Sequence, residues 1–273
     1  MTETQTKPSR IEVSVERQIA TIALNRPQVR NAIDDEMRGE LIAALDRIAA
    51  DAAIRAVIVT GRGTGFCAGG DISGMQRRLQ APASEVAFNG WRRQQHIHHL
   101  IATLHDLPKP TIAAVNGAAA GLGCDLALCC DFIVASESAS LTMSYVLRGL
   151  IPDGGGMYFL PRRVGLARAK ELIFTGRRVL PDEALRIGLV DRVARSETLL
   201  ADAQTWAEEL GRGAATAIAL SKSILNQTFE LTAEQAFGLG SQAQGICYTT
   251  REHQEAVAAF LSRRAGSAKD QPG

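Results

Sequence analysis

The sequence predicts an α/β body followed by an α-helical tail, and three observations carry that expectation. Two short continuous apolar runs, Ala56 to Thr60 and Thr111 to Val115, have the length and apolarity of buried strands. Each leads into a cluster of glycines, and about one helix-containing unit separates them, which hints at a repeated supersecondary unit. From Leu199 to Arg264 the chain has no proline and reads as helix, so a boundary is expected near Glu197.

The elements follow in order. Ile11 to Glu16 alternates apolar and polar residues, and Ile19 to Leu24 is a second β-rich run beyond Arg17-Gln18, the pattern of a hairpin that Pro27 stops. Met37, Leu41, Leu45 and Ile48 fall at helical spacing behind Asp34, Asp35 and Glu36, whose charges suit the positive end of a helix dipole. Gly61, Gly63, Gly65, Gly69 and Gly70 follow the first buried strand, and residues 73–84 are polar enough to read as loop or irregular helix. Ile97, Leu100, Ile101 and Leu104 mark a helix that Pro108 and Pro110 end. After the second buried strand, Asn116-Gly117 and Gly121-Leu122-Gly123 enter an apolar helix from about Cys124 to Cys130. Short strands are expected at Phe132 to Ala135, Leu141 to Met143 and Leu189 to Val193, a third glycine-rich loop over 149–156, and helices over Leu166 to Thr175 and from Pro181 to about Ile187.

A length of 273 residues suits one large domain or one domain with an appendage. With 46% hydrophobic and 22% charged residues, disordered and low-complexity classes are excluded. The formal charge of +1 gives no bulk electrostatic case for nucleic acid or an acidic membrane. No apolar run approaches the ~20 residues of a bilayer span. Met1 to Arg10 carries no signal of export, so the cytoplasm is the expected location. Five cysteines, Cys67, Cys124, Cys129, Cys130 and Cys247, with no C-x-x-C spacing, read as reduced packing residues.

Several chemistries can be set aside. The run Gly61 to Gly65 follows a strand, yet the sixth position of a dinucleotide fingerprint falls on Phe66, and neither a Walker A motif nor a G-x-S-x-G elbow occurs. His96, His98, His99 and His105 share a helix but lack the acidic or thiol partners of a metal site. What remains is 25 glycines gathered largely into loops after strands. Such turns leave backbone N–H groups pointing into open space, and a helix start adds unpaired donors. Two facing turns would form an oxyanion hole for acyl chemistry.

The segments Leu24-Asn25-Arg26-Pro27 with Asn31-Ala32, then Phe66-Cys67-Ala68-Gly69-Gly70-Asp71, then Ala114 through Cys124 resemble, in order, the signature segments of the enoyl-CoA hydratase/isomerase (crotonase) superfamily. The resemblance extends to about Val193 and continues in Glu252-His253-Glu255 and Ala259-Phe260-Leu261. It implies a crotonase-like spiral of repeated ββα units over residues 1–197 and a C-terminal helical trimerisation region over 198–273, forming a homotrimer or a dimer of trimers. It further implies an acyl-CoA thioester substrate, no separate cofactor and no metal, with the backbone N–H groups of Gly70 and Leu122 as oxyanion donors.

Family hydratases hold a water between two glutamates, and those positions are matched here by Asp125 and Tyr145. An aspartate ends one methylene short, and ~1 Å of displacement can cost ~100-fold in rate. The loop Leu150-Ile151-Pro152-Asp153-Gly154-Gly155-Gly156 is similar to that of members that shift double bonds or isomerise an epoxide on phenylacetyl-CoA, where an aspartate is the acid/base. Asp153 and Asp125 are therefore the catalytic candidates. Arg26, Arg30, Ala68, Asp71 and Tyr145 are the candidate substrate contacts, the arginines because guanidinium suits the CoA phosphates. Asp71 can equally fix the turn beside Gly70. Three activities stay open: a double-bond isomerase, a hydratase or hydrolase using Asp125 or Asp153 with water, and a silent acyl-CoA binder.

Overall fold

The computed structural model describes residues 9–267; the first eight residues, part of the segment read for export signals, and the last six of the expected tail lie outside the described residues. A hairpin of β1 (Ile11–Glu16) and β2 (Ile19–Leu24) turns on Arg17 and Gln18, both at positive φ, and leads to α1 (Asp35–Ala50), whose N-cap Asp34 accepts from the Met37 amide at 2.8 Å. Three strand pairs follow. They are β3 (Ala56–Gly61) with β4 (Gly65–Cys67), then, past α2 (Ile72–Leu79) and α3 (Ala83–His105), β5 (Thr111–Val115) with β6 (Ala118–Ala120), then, past α4 (Leu122–Leu128), β7 (Phe132–Ser136) with β8 (Ser140–Thr142). α5 (Gly156–Val164), α6 (Leu166–Thr175), β9 (Arg178–Val179), α7 (Pro181–Arg186), β10 (Arg192–Ala194) and α8 (Leu199–Leu210) come after them.

Each pair divides between two sheets, which is the repeated ββα unit. The first strands join a sheet ordered β1-β2-β3-β5-β7-β10, and the second strands join one ordered β4-β6-β8-β9. Pairing is parallel except at β1 with β2 and at β8 with β9. Strand alternation assigns the faces of the larger sheet. Val57, Val59, Ala113, Val115, Ile133 and Ala135 turn to the main core, while Ala56, Ile58, Ile112, Ala114 and Val134 turn to the opposite side.

That second face corrects the expected boundary at Glu197. α8 covers it with Leu199, Ala203, Trp206 and Ala207, and Trp206 meets the Phe132 ring at 4.8 Å between centroids, so the first compact unit runs to Leu210. The second unit begins at Gly211 and holds α9 (Ala215–Leu225), α10 (Ala233–Tyr248) and α11 (Arg251–Ser267). Within it the Glu252 carboxylate accepts from the amides of Ala215 at 2.7 Å and Thr216 at 3.2 Å, satisfying orphan donors at the start of α9. Residues 73–84, expected as loop or irregular helix, are largely helical in α2 and α3.

Candidate active site

The site is built where β4 and β6 end. The two strands are parallel neighbours, Gly65 opposite Ala118 and Cys67 opposite Ala119, so the loops leaving them emerge on one rim. After β4 the chain forms an isolated parallel bridge between Ile33 and Gly70. In it the Ile33 amide donates to the Gly69 carbonyl at 2.8 Å, and the Asp71 amide donates to the Ile33 carbonyl at 3.0 Å. The Gly70 N–H consequently faces away from residue 33. After β6, Gly121 at φ 53 opens α4, and Leu122 is its first residue, with an amide that no intrahelical carbonyl can reach. The two turns touch: a Cβ on Gly69, itself at φ 100, would stand 2.8 Å from the Ala120 carbonyl oxygen and 3.5 Å from the Leu122 nitrogen. Gly70 and Leu122 line one cavity of about 310 Å³ together with Asp153 and Tyr145.

Asn31, which sequence reasoning quoted but gave no role, fastens this rim. Fully buried, it accepts from the Arg26 amide at 2.9 Å and donates to the carbonyls of Arg62, Gly65 and Phe66 at 2.9, 2.8 and 3.1 Å. The expected phosphate role of Arg26 is corrected by its partners. Its guanidinium is buried, donating to the Ala32 carbonyl at 2.5 Å and to Asp71 at 3.0 Å, with Asp34 at 3.3 Å. Asp71 also accepts from the hydroxyl and amide of Ser73, and that hydroxyl, with Arg26, holds its carboxyl below the usual range. Arg26 and Asp71 thus brace the turn that carries Gly70. Arg30 is exposed, and the Ala68 amide is taken by the Arg30 carbonyl at 2.9 Å.

The two aspartates stand in different surroundings. Asp125, on α4, is completely buried; one carboxylate oxygen accepts from the Tyr145 hydroxyl, and the Gly154 and Gly156 amides also act on the carboxyl. Burial drives its pKa to about 7, the Tyr145 bond opposing and the charge of Asp153 adding to the rise. The loop of residues 154–156 wraps it. Cβ atoms on Gly154 and Gly156 would stand 2.5 and 2.6 Å from its oxygens, which explains glycine at both places. Asp125, expected as a catalytic candidate, thus stands against Tyr145 and the loop, while the cavity of Gly70 and Leu122 is lined by Tyr145 and Asp153. Asp153 is the carboxylate on the wall. It is half-buried, and burial raises its pKa against the opposing charges of Arg93 and His98. Ile151 beside it is 63% exposed, and the wall opposite comes from α3 and Leu122.

α3 supplies what sequence reasoning missed. His98 Nε2 donates to the Asp153 carbonyl at 2.9 Å, fixing the loop, while Arg93, Gln94 and Ile97 line the cavity. The helical spacing of α3 is visible in the sequence, but nothing there pairs His98 with a loop 55 residues on. Among the described residues no group of three or more His, Cys, Asp or Glu side chains could hold a metal ion. Cys67 is buried beside the turn, its thiol pushed up to about 12 by desolvation, as suits filler rather than a nucleophile.

Two sheets of repeated ββα units, with the Gly70 and Leu122 turns and the Asp153 carboxylate on one cavity, make a crotonase-type fold. Residues 14–271 match the enoyl-CoA hydratase/isomerase family, and the chain belongs to that family. It is 36% identical to a 1,2-epoxyphenylacetyl-CoA isomerase of Escherichia coli, over 92% of this chain and 95% of that one. It is equally 36% identical to a crotonyl-CoA hydratase of Syntrophomonas wolfei, over 91% and 94%. An enoyl-CoA hydratase/isomerase structure from Cupriavidus metallidurans superposes with a TM-score of 0.86 at 36% identity, covering 94% of this chain and 95% of that one.

Proposed function

We propose that this acyl-CoA enzyme is an enoyl-CoA isomerase working through a thioester enolate, in the cytoplasm, as a homotrimer assembled through its second unit. The observation that carries the reading is the pairing of one cavity-lining carboxylate, Asp153, with the amides of Gly70 and Leu122, while Asp125 is buried against Tyr145. With the thioester oxygen held by the two amides, the carboxylate of Asp153 takes a proton from C2 of a 3-enoyl-CoA. The electron pair delocalises into a dienolate, and the same carboxyl returns the proton to C4, giving the 2-enoyl thioester. One group serves both positions, so no second carboxylate is required. The upward shift of Asp153 makes it a stronger base toward carbon.

The test is to incubate the protein separately with 2-enoyl-CoA and 3-enoyl-CoA thioesters and follow products by mass. Isomerisation of the 3-enoyl substrate without mass gain is expected, and water addition to the 2-enoyl substrate as the main reaction would favour hydration instead. Asp153→Asn should lower turnover by about 10²–10⁴-fold with thioester binding kept. Full activity in that variant would end the proposal.

A further inference from the structure

The wall of the cavity opposite the loop is a single face of α3. Val86, Gly90, Arg93, Gln94 and Ile97 recur along it at steps of four, three, one and three. Nothing lies within 4 Å of the place a Cβ on Gly90 would take, so the face is open there. Next to this opening stand two unanswered polar groups. The Arg93 Nε and the Gln94 Oε1 are buried with no hydrogen-bond partner. Arg148 lines the same cavity, held by a long 3.4 Å hydrogen bond to the Ser144 carbonyl. A plain hydrocarbon chain laid along this face would leave the Arg93 donor buried and unsatisfied, which costs free energy that an accepting group on the ligand would recover; Gln94 can meet such a group only through its amide N–H.

We propose that the acyl group taken by this site ends in a carboxylate remote from the thioester, received by the guanidinium groups of Arg93 and Arg148 with the Gln94 amide beside them. The inference rests on reading the cavity as the acyl chamber of a CoA thioester. Guanidinium presents a fork of donors matched to a carboxylate, and two such groups outweigh the single carboxylate, Asp153, that shares the chamber. Arg93 opposes the rise in the Asp153 pKa, so its guanidinium stands between the acid/base and the proposed distal carboxylate as the shared counter-charge. Arg93 also borders the larger neighbouring cavity of about 790 Å³, where a CoA phosphate is the other anion it could meet. The experiment must separate the two.

Adipyl-CoA and hexanoyl-CoA have equal chain length and differ at the terminal group, and neither can isomerise, so their binding by calorimetry is independent of the reaction. Wild-type protein should bind adipyl-CoA at least about tenfold more tightly than hexanoyl-CoA. In Arg93→Met the preference should vanish, and in Arg148→Met it should fall, with affinity for free CoA unchanged in both as the check on folding. Equal or tighter binding of hexanoyl-CoA by the wild type would overturn the proposal. So would an Arg93→Met protein that loses affinity for both thioesters and for free CoA alike, because Arg93 would then serve a phosphate. Failure to isomerise 3-enoyl-CoA with the adipyl preference intact would remove the isomerase reading and leave this one standing. No binding of either thioester would remove both.

Discussion

The Tyr145 hydroxyl and the Gly154 and Gly156 amides answer the Asp125 carboxyl, but burial outweighs them, so ionising it in the core is costly. The consequence is a pH dependence of stability with a definite sign. Between the ordinary value of 3.8 and the native value of about 7, the unfolded chain releases this proton and the native chain keeps it. Stability from this group is therefore greatest below the unfolded pKa, falls as pH rises through that window and levels off above it. From about pH 5 to about pH 8 the loss should be on the order of 2–3 kcal/mol, and Asp125→Asn should be free of it. Urea denaturation of both proteins at the two pH values checks this, and parallel pH profiles would contradict it. At this scale the sequence was legible wherever a motif dictated backbone: Gly70, Leu122 and Asp153 all line the cavity. Side-chain partners distant in sequence were not. Arg26 reads as a phosphate contact in sequence because its partner Asp71 lies 45 residues away, and Asn31 shows nothing there of the four bonds its side chain makes.

Among the elements, α8 shows how a helix can be recognised and still be assigned to the wrong body. Its apolar residues suit either an oligomer surface or a sheet face, and sequence periodicity cannot distinguish the two. The structure gives Trp206 the underside of the larger sheet, between the Phe132 ring and the Arg192 guanidinium 3.7 Å above it. Trp206→Ala should then destabilise the first unit by about 3–5 kcal/mol, the range for emptying a buried aromatic site. A denaturation midpoint shifted by much less would place α8 outside the core. Long periodic elements such as α1, and Leu166 to Thr175 as α6, were readable from sequence. The three-residue strands β4 and β6 were too short to show a period, and Pro161 inside α5 hid that helix. The two unread strands are the ones that lead into the Gly70 and Leu122 turns.

At the scale of the whole molecule, the second unit carries apolar surface that its own helices do not cover. α10 has sixteen residues and none of them is buried, although Phe237 is 75% exposed and Tyr248 58%. On α11, Phe260 and Leu261 are exposed at 63% and 57%. Aromatic side chains of this size each represent a few kcal/mol of unrealised burial, and a helix with no buried face draws its stability from packing outside itself. A second and third copy of the same surface are the partners this proposal supplies. Sedimentation at working concentration should give a mass of about three chains or a multiple of that. Phe237→Asp together with Phe260→Asp should shift the distribution toward monomer, because two desolvated charges would face each contact. The expected side effect is loss of order in α10 and α11, seen as reduced helical circular dichroism in the dissociated variant. A wild-type monomer with full helicity would mean that these helices stand without partners and would overturn the assembly.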